Sequence, residues 1–218
     1  MKNITKFLAI MAMLTFSNTL FAEVKYGVSA AVTQIKASGT ETEGGEKNSK
    51  SVDHYTVIPS IFAEYVYGNI TVGLDYIPMS ADVSDKTKTR SDTETSVTGN
   101  TAVTSTARAQ SAQAELKQHV SLYGSYAFDN DVFIKLGAVQ VDLNTTESLA
   151  TGSKYGNETI TGTLVGIGFN SGNIRTELLY TDYEDISLRS SVARTGVTTN
   201  NLIEADLDTT ALKISYVF

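Results

Sequence analysis

Apolar and polar residues alternate along most of this chain after residue 22, and this period of two is the pattern of β-strands. In the last segment Leu212, Ile214 and Tyr216 alternate with Lys213 and Ser215. The same pattern recurs in segments that begin near residues 54, 70, 114 and 174, with Ile58 and Phe62 as exceptions on a polar face. We therefore expect strands with one apolar and one polar face.

The breaks between these segments are of two kinds. Three are short and contain residues that favour tight hairpin turns: Gly68-Asn69, Asp129-Asn130-Asp131 and Ser171-Gly172-Asn173. Four are long polar stretches with glycine near the middle: Gly44-Gly45, Gly99-Asn100, Gly152 and Gly196. Four hairpins in series predict an all-β fold, an eight-stranded antiparallel up-and-down barrel. Short turns at one end and long loops at the other are typical of a transmembrane β-barrel of the bacterial outer membrane.

The distribution of side chains between the two faces does not by itself show which face is inside. The signal peptide, the asymmetry of the turns and the C-terminus favour a membrane barrel with its apolar face outward. Several polar faces carry charges in mid-strand, and the fourth strand sets Ala114, Leu116 and Val120 against Glu115, Lys117 and His119 on the polar face. Tyrosines near strand ends suit the aromatic girdles of membrane barrels, although tyrosines also fill soluble cores: Tyr26, Tyr65, Tyr67, Tyr76, Tyr126, Tyr180 and Tyr216.

The N-terminus has the layout of a secretory signal peptide. Lys2 and Lys6 precede an apolar run at 7–16, and Leu20-Phe21-Ala22 follows a more polar stretch. An apolar run of about 10 residues is short for a spanning helix, which needs roughly 20. We therefore expect residues 1–22 to be a cleaved signal peptide and residues 23–218 to form the barrel domain, secreted across the inner membrane to the outer membrane.

Composition excludes several classes of protein. The formal net charge is −7, and an acidic chain is a poor nucleic-acid binder. The absence of cysteine excludes a disulfide scaffold, a thiol nucleophile and cysteine-ligated zinc. Gly166-Ile167-Gly168 lies within a predicted strand and opens no helix, so it is not a dinucleotide fingerprint. We expect no cofactor and no metal.

Short segments of the chain resemble a known family. The end of the chain, Leu212 to Phe218, resembles the aromatic-terminated sorting signal that barrel-insertion machinery reads. Segment 175–186 is similar to the seventh strand, and segment 73–78 to the third strand, of eight-stranded barrels of the outer membrane protein A and opacity-protein type, in the porin family of Gram-negative bacteria. The resemblance implies an Arg175 and a Glu177 that point into the lumen. The chain stops at Phe218, so we expect no periplasmic peptidoglycan-binding domain.

Six charged residues are predicted to point into the lumen, all near the short-turn end: Glu64, Asp75, Lys135, Arg175, Glu177 and Lys213. Three acids balance three bases, and buried charges persist only when paired. We expect a salt-bridge network that plugs the barrel, because small barrels fill their interior with side chains. In the alternative, Arg175 re-pairs between acids and opens a narrow pore.

Residues 80–109 are rich in serine and threonine, a composition typical of disorder. However, segments 93–98 and 101–106 flank Gly99-Asn100 and contain strand-forming residues. We predict a hairpin that continues beyond the membrane, as a solvated spacer or a contact surface.

Catalytic and metal-binding interpretations are weaker. His119 and Ser121 share a strand face, as a nucleophile and its base require and as in lipid A deacylases, but on the lumen side. His54 is isolated near a loop and has no ligand spacing. The adjacent acids Asp182, Glu184 and Asp185 could bind a divalent cation that bridges lipopolysaccharide, although such runs are usually solvated.

The sequence thus predicts a non-enzymatic, monomeric integral outer-membrane protein that contributes to the cell envelope and to surface contacts through its extracellular loops. Its partners would be outer-membrane lipid, lipopolysaccharide and the insertion machinery that reads Phe218. A narrow gated pore for ions or small solutes, and an adhesin that uses loops at 37–52 and 80–109, remain alternatives.

Overall fold

The computed structural model describes residues 22–43, 45–83, 88–92, 95–98, 101–104, 108–148, 153–193 and 198–218. The predicted signal peptide, apart from Ala22, lies outside this part of the chain, as do Gly44, Gly99-Asn100, Gly152 and Gly196. Across the residues described, no helix has the length and apolar content needed to cross a membrane.

The described residues form thirteen strands. In chain order they are β1 (Ala22–Glu43), β2 (Glu46–Tyr67), β3 (Ile70–Ile77), β4 (Ala81–Asp82), β5 (Lys88–Asp92), β6 (Thr95–Thr98), β7 (Thr101–Thr104), β8 (Arg108–Ala127), β9 (Val132–Ser148), β10 (Asn157–Ser171), β11 (Ile174–Tyr183), β12 (Ile186–Arg189) and β13 (Leu202–Val217).

Eight of these strands close into a ring. The order is β1-β2-β3-β8-β9-β10-β11-β13, and β13 pairs with β1 from Gly27↔Val217 to Thr42↔Leu202. Strands β4 and β5 continue the course of β3 along β8, and β12 continues β11 along β13. All pairings are antiparallel. The predicted eight-stranded up-and-down barrel is confirmed.

The three short turns are also confirmed. Gly68 and Gly172 adopt left-handed φ values of 57° and 58°, which glycine reaches without a steric penalty. Asp131 adopts φ 64° at the end of the turn at 129–131, in a conformation that aspartate tolerates better than most residues. These turns fix one end of the barrel.

At the opposite end, the prediction of a long loop at 37–52 is wrong. Strands β1 and β2 are 22 residues each and stay paired from Ala22↔Tyr67 to Glu43↔Glu46. Since a membrane strand needs about 9–11 residues, half of this hairpin stands beyond the lipid. The strands persist there because their inward side chains still find apolar neighbours, with Ile35 fully buried and Ala37 packed beside it.

The face of the sheet that carries apolar side chains changes along the strands, from the outside near the short turns to the inside further along. On β9 the outward Leu136 is 62% exposed and the inward Lys135 is buried, whereas further along Val141 is buried inside and Asp142 lies on the outward side. We call the part beyond this inversion the outer half. Its inward side chains form an apolar core: Ile35, Leu116, Val139, Val141, Leu143, Ile160, Leu164, Tyr183, Ile186, Leu188 and Leu207. The outer half is therefore built like a barrel in water, and the rest like a barrel in lipid.

A β-bulge on β8 overturns one sequence assignment. Pairing with β9 shifts register between Lys117 and Val120, and Gln118 adopts φ 51°. Before the bulge, Leu116 is buried in the lumen while the Lys117 side chain is 42% exposed. The predicted faces of Ala114, Leu116, Glu115 and Lys117 are therefore reversed, because one extra residue changes the parity of the strand.

The exposed Glu115–Lys117 pair shows the same reversal. The Lys117 Nζ lies 2.7 Å from a Glu115 carboxylate oxygen. The hydrogen bond from Lys117, followed by one from Ser80, holds the pKa of the Glu115 carboxyl below its usual range. These groups belong to the solvent-facing surface of the outer half.

Aromatic side chains decorate the outside at two levels. One group lies toward the short turns and the other toward the outer half, as in interfacial girdles: Tyr26, Tyr67, Tyr126 and Tyr216, and Tyr55, Tyr76 and Tyr180. The predicted hairpin around Gly99-Asn100 is confirmed in its flanks, because β6 and β7 pair from Thr95↔Thr104 to Thr98↔Thr101.

The inversion predicts opposite outcomes for neighbouring residues of β10. Ile160→Asp places an unpaired charge in the apolar core and should lower the free energy of unfolding by at least about 3 kcal/mol. Thr159→Lys, which places a charge on the outward side opposite Asp142, should change it by less than about 0.5 kcal/mol. Urea unfolding in lipid vesicles measures both, and equal losses would contradict the inversion.

Candidate functional site

Six charged side chains meet inside the lower part of the barrel, between the short turns and the outer half. They come from five neighbouring or facing strands, each alternating with outward apolar residues that face lipid. All six are buried, with 1% to 9% of their surface exposed: Glu64 on β2, Asp75 on β3, Lys135 on β9, Arg175 and Glu177 on β11, and Lys213 on β13. We call this set the charge layer.

The pair between Arg175 and Glu64 is bidentate. Arg175 Nη1 lies 2.5 Å from Glu64 Oε1, and Nη2 donates to Oε2 at 2.9 Å. Tyr123 donates its hydroxyl hydrogen to the same carboxylate at 2.7 Å, and Arg175 Nε donates to Asn170 Oδ1 at 3.0 Å. The Arg175 guanidinium is therefore hydrogen-bonded on two edges, to Glu64 through Nη1 and Nη2 and to Asn170 through Nε. Bidentate, charge-assisted hydrogen bonds of this kind are among the strongest that a buried arginine makes.

The other four charges form two lysine–carboxylate pairs. Lys135 pairs with Glu177, and Lys213 pairs with Asp75. Ser60 also donates to Asp75 Oδ2 at 3.1 Å, and Ser60 in turn shares a 2.6 Å hydrogen bond with Ser29. The structure thus brings the six predicted lumen residues together as three ion pairs with no net charge.

Aromatic rings support the cations from the side. Lys135 Nζ lies 4.0 Å from the Tyr123 ring centroid, and the Arg175 guanidinium lies 5.5 Å from Phe62 and 5.4 Å from Phe133. Lys213 lies 5.9 Å from the Phe62 centroid. Such contacts are worth about 0.5–2 kcal/mol, with the upper range for desolvated groups.

Each of these rings lies over a glycine on the neighbouring strand. At Gly168, an added Cβ would come within 2.2 Å of the Phe133 ring, so only glycine leaves the ring room to lie flat against the wall. The three cross-strand partners are Gly27 with Phe62, Gly73 with Tyr123, and Gly168 with Phe133. Sequence reasoning missed these pairs, although the inward parity of a glycine opposite an inward aromatic could have indicated them.

Above the charge layer, the apolar core fills the outer half. His119 lies between them, and its Nε2 is 3.2 Å from the Tyr183 hydroxyl. Both His119 and Ser121 line an internal cavity of about 90 Å³ rather than the lipid surface. This placement does not favour the lipid-cleaving interpretation of the His-x-Ser pair, since the scissile bond of a lipid would have to enter the lumen.

A polar cluster ties the barrel wall to its connecting segments near the outer rim. The Tyr155 hydroxyl donates to Glu41 Oε1 at 2.5 Å, and Asn201 Nδ2 donates to the same oxygen at 3.1 Å. Burial, followed by the hydrogen bond to Glu41, raises the pKa of the Tyr155 hydroxyl. Ser153 and Val192 also exchange hydrogen bonds at 3.2 Å. Sequence analysis gave no signal for this cluster because its members are up to 160 residues apart.

The acids at 182–185 face outward at the beginning of the outer half. Glu184 accepts a hydrogen bond from the Thr161 amide at 2.9 Å and so acts within the wall. No set of three or more histidine, aspartate or glutamate side chains in the described ranges is arranged to hold a metal ion. The cation interpretation of Asp182, Glu184 and Asp185 therefore gains no support.

No family model matches the chain, and no curated protein matches it in sequence. In structure it is similar to Ail, the attachment invasion locus protein of Yersinia pestis, with a TM-score of 0.51, 12% identity, and coverage of 90% of this chain and 99% of that chain. OprG from Pseudomonas aeruginosa gives a TM-score of 0.49 at 11% identity, over 88% and 96% of the two chains. AlkL gives 0.48 at 12% identity, over 93% of each. The likeness to Ail shows the fold, an outer-membrane β-barrel, which confirms the fold expected from the sequence.

A double-mutant cycle tests the Lys135–Glu177 pair. Lys135→Met and Glu177→Gln each leave a buried group without its partner and should each cost about 3–5 kcal/mol of unfolding free energy. The double variant should cost at least about 2 kcal/mol less than the sum, because neither charge is then stranded. Urea titration in vesicles measures the cycle, and additive losses would show that the two groups are not coupled.

Proposed function

We propose that this chain, which has the eight-stranded outer-membrane barrel fold, is a non-enzymatic integral protein of the bacterial outer membrane. It contributes to envelope structure and presents its outer half for surface contacts. The layout of residues 1–22 supports export by a cleaved signal peptide, with the cut after Ala22 removing one residue of β1. The outward band of exposed apolar side chains supports residence in lipid, with Val57, Leu136 and Ile214 each at least half exposed.

The observation that carries the structural role is the filling of the lumen. Three ion pairs close the lower part, and an apolar core closes the outer half. A conducting pathway would have to cross both layers. Apolar packing in the outer half disfavours the passage of hydrated ions, so the barrel acts as a plugged pillar rather than a pore.

The gated-pore alternative needs Arg175 to exchange one acid for another. Glu177, the acid two residues along the same strand, is already paired with Lys135. An exchange would leave the Glu64 carboxylate with only the Tyr123 hydroxyl as a partner and would leave Lys135 without its acid, at a cost of several kcal/mol. This favours the static plug.

The outward apolar surface of the barrel also suggests its membrane partners. We propose outer-membrane lipid and lipopolysaccharide around a monomer, and insertion machinery that reads the terminal strand. In support, the Phe218 amide donates to the Tyr26 carbonyl at 2.8 Å, and their rings stack at 5.4 Å. The terminal aromatic thus helps to close the ring between the last strand and the first.

The parts available for surface contact are the outer half and the hairpin of β6 and β7. The paired ends of β1 and β2, at 37–43 and 46–52, form a stiff ribbon rather than a loop. An adhesin role would use this ribbon and the 80–109 segment. The side chains of 84–110 lie outside those described, so the proposal rests on the strand pairing alone.

Conductance in planar bilayers tests the plug. We expect the refolded protein and its Arg175→Ala variant to be silent, because the apolar core still closes the outer half. Discrete single-channel openings in the native protein, increased in Arg175→Ala, would support the gated pore and overturn the plug. A heat-modifiable band on a gel confirms that each sample is folded.

Deletion of residues 93–106 tests the hairpin. Among the described residues, β6 and β7 pair with each other and with no other strand, so the shortened chain should fold with an unchanged thermal midpoint. If the hairpin mediates surface contact, cells that carry the deletion should lose adherence. A replacement of the segment by a Ser/Thr sequence of equal length is the control for a spacer, because it restores adherence only if length alone matters. Equal adherence in all three strains would assign no contact role to the hairpin.

A further inference from the structure

An internal cavity of about 90 Å³ separates the charge layer from the apolar core. Its lower boundary includes Asp75, Lys135 and Lys213, and its upper boundary includes Leu116 and Leu164. The space thus has a charged floor and an apolar roof, the arrangement of a site for a molecule with one polar and one apolar end.

One residue of this boundary, His119, carries a polar atom that has no partner among the described residues. The Nδ1 atom of His119 is buried and makes no hydrogen bond, while Nε2 of the same ring is engaged with the Tyr183 hydroxyl. If Nε2 carries the proton, Nδ1 is an unused acceptor; if Tyr183 donates to Nε2, Nδ1 is an unused donor. A hydroxyl group satisfies either tautomer, since it both donates and accepts.

The charges around the cavity determine the charge of its occupant. Lys213 is paired with Asp75, and Lys135 with Glu177, so the cavity wall has no charge to spare. An ionic ligand would enter without a counter-ion, at the cost of its hydration. The occupant is therefore neutral.

Access to the cavity is provided where the wall is discontinuous. Pairing of β3 with β8 ends at Ile77↔His119 and resumes at Ala81↔Leu116. Pro78, between these pairs, has no amide hydrogen with which to continue the ladder. Met79 belongs to the cavity lining and is 58% exposed, so the cavity meets the protein surface at this residue.

We propose that this cavity binds one small, neutral molecule that carries a hydroxyl group on a short apolar body. The hydroxyl hydrogen-bonds to His119 Nδ1, and the apolar body packs under Leu116 and Leu164. A cavity of about 90 Å³ suits a ligand of a few non-hydrogen atoms, such as a three-carbon alcohol. With roughly four non-hydrogen atoms, affinity should lie in the millimolar range.

The probe for this site is 1-propanol, followed by NMR of the histidine rings in lipid nanodiscs. The chain has two histidines, so the spectrum is simple, and His54 does not line the cavity. We expect a saturable shift of the His119 ring at millimolar alcohol with no matching change at His54. Propionate and propylammonium, which have the same length but carry a charge, should produce at least tenfold weaker effects.

Variants that fill the cavity provide a second test of the binding site. Ala211→Leu fills the space from β13 and should weaken the His119 response at least tenfold. Ala31→Leu fills it from β1 and serves if the first variant does not fold. Ala138→Leu adds the same side chain on the outward face and should leave the response unchanged.

Three results would overturn the proposal. They are a linear, unsaturable shift, which indicates partition into lipid; equal responses of His119 and His54; and a response that survives in Ala211→Leu or Ala31→Leu. None of these outcomes bears on the conductance test of the plug, because a filled or empty cavity leaves both sealing layers in place.

Discussion

A charge inside this barrel is tolerated only beside its counter-charge, and the arrangement of the lower lumen depends on that constraint. The six members of the charge layer form three pairs, and the pairs in turn need the rings of Phe62, Tyr123 and Phe133 beside them. Those rings need glycine on the neighbouring strand in order to lie flat against the wall. The electrostatic requirement thus extends, through packing, to the backbone of the sheet.

The sequence was sufficient for the fold because strand parity and tight turns are local signals. Alternation placed Leu212, Ile214 and Tyr216 outside and Lys213 inside, and the turns at Gly68 and Gly172 fixed the order of the hairpins. The members of the charge layer followed from the same parity. Their partners did not, since a choice between Glu64 and Glu177 for Arg175 depends on the tilt and register of the whole ring.

The failures have physical causes of two kinds. A bulge at Gln118 changes parity by one residue, and no local signal distinguishes Leu116 inside from Leu116 outside. At 37–52 a polar composition suggested a loop. However, a strand that stands in water, with polar outward residues and small or apolar inward residues, has the same polar composition as a loop. Because the surroundings of one strand change from lipid to water, the apolar residues of an alternating pattern point outward in the first part and inward in the second.

The inverted outer half has a consequence for biogenesis. Its outward side chains include Asp142, Glu204 and Asp206, which must traverse the hydrocarbon before they reach the far side of the bilayer. A charged group on the lipid face costs about 2–4 kcal/mol at the bilayer midplane for arginine or lysine, and less for aspartate or glutamate. Moving these polar ends across the bilayer therefore adds to the energetic cost of insertion, a cost that falls where the bilayer is thinner.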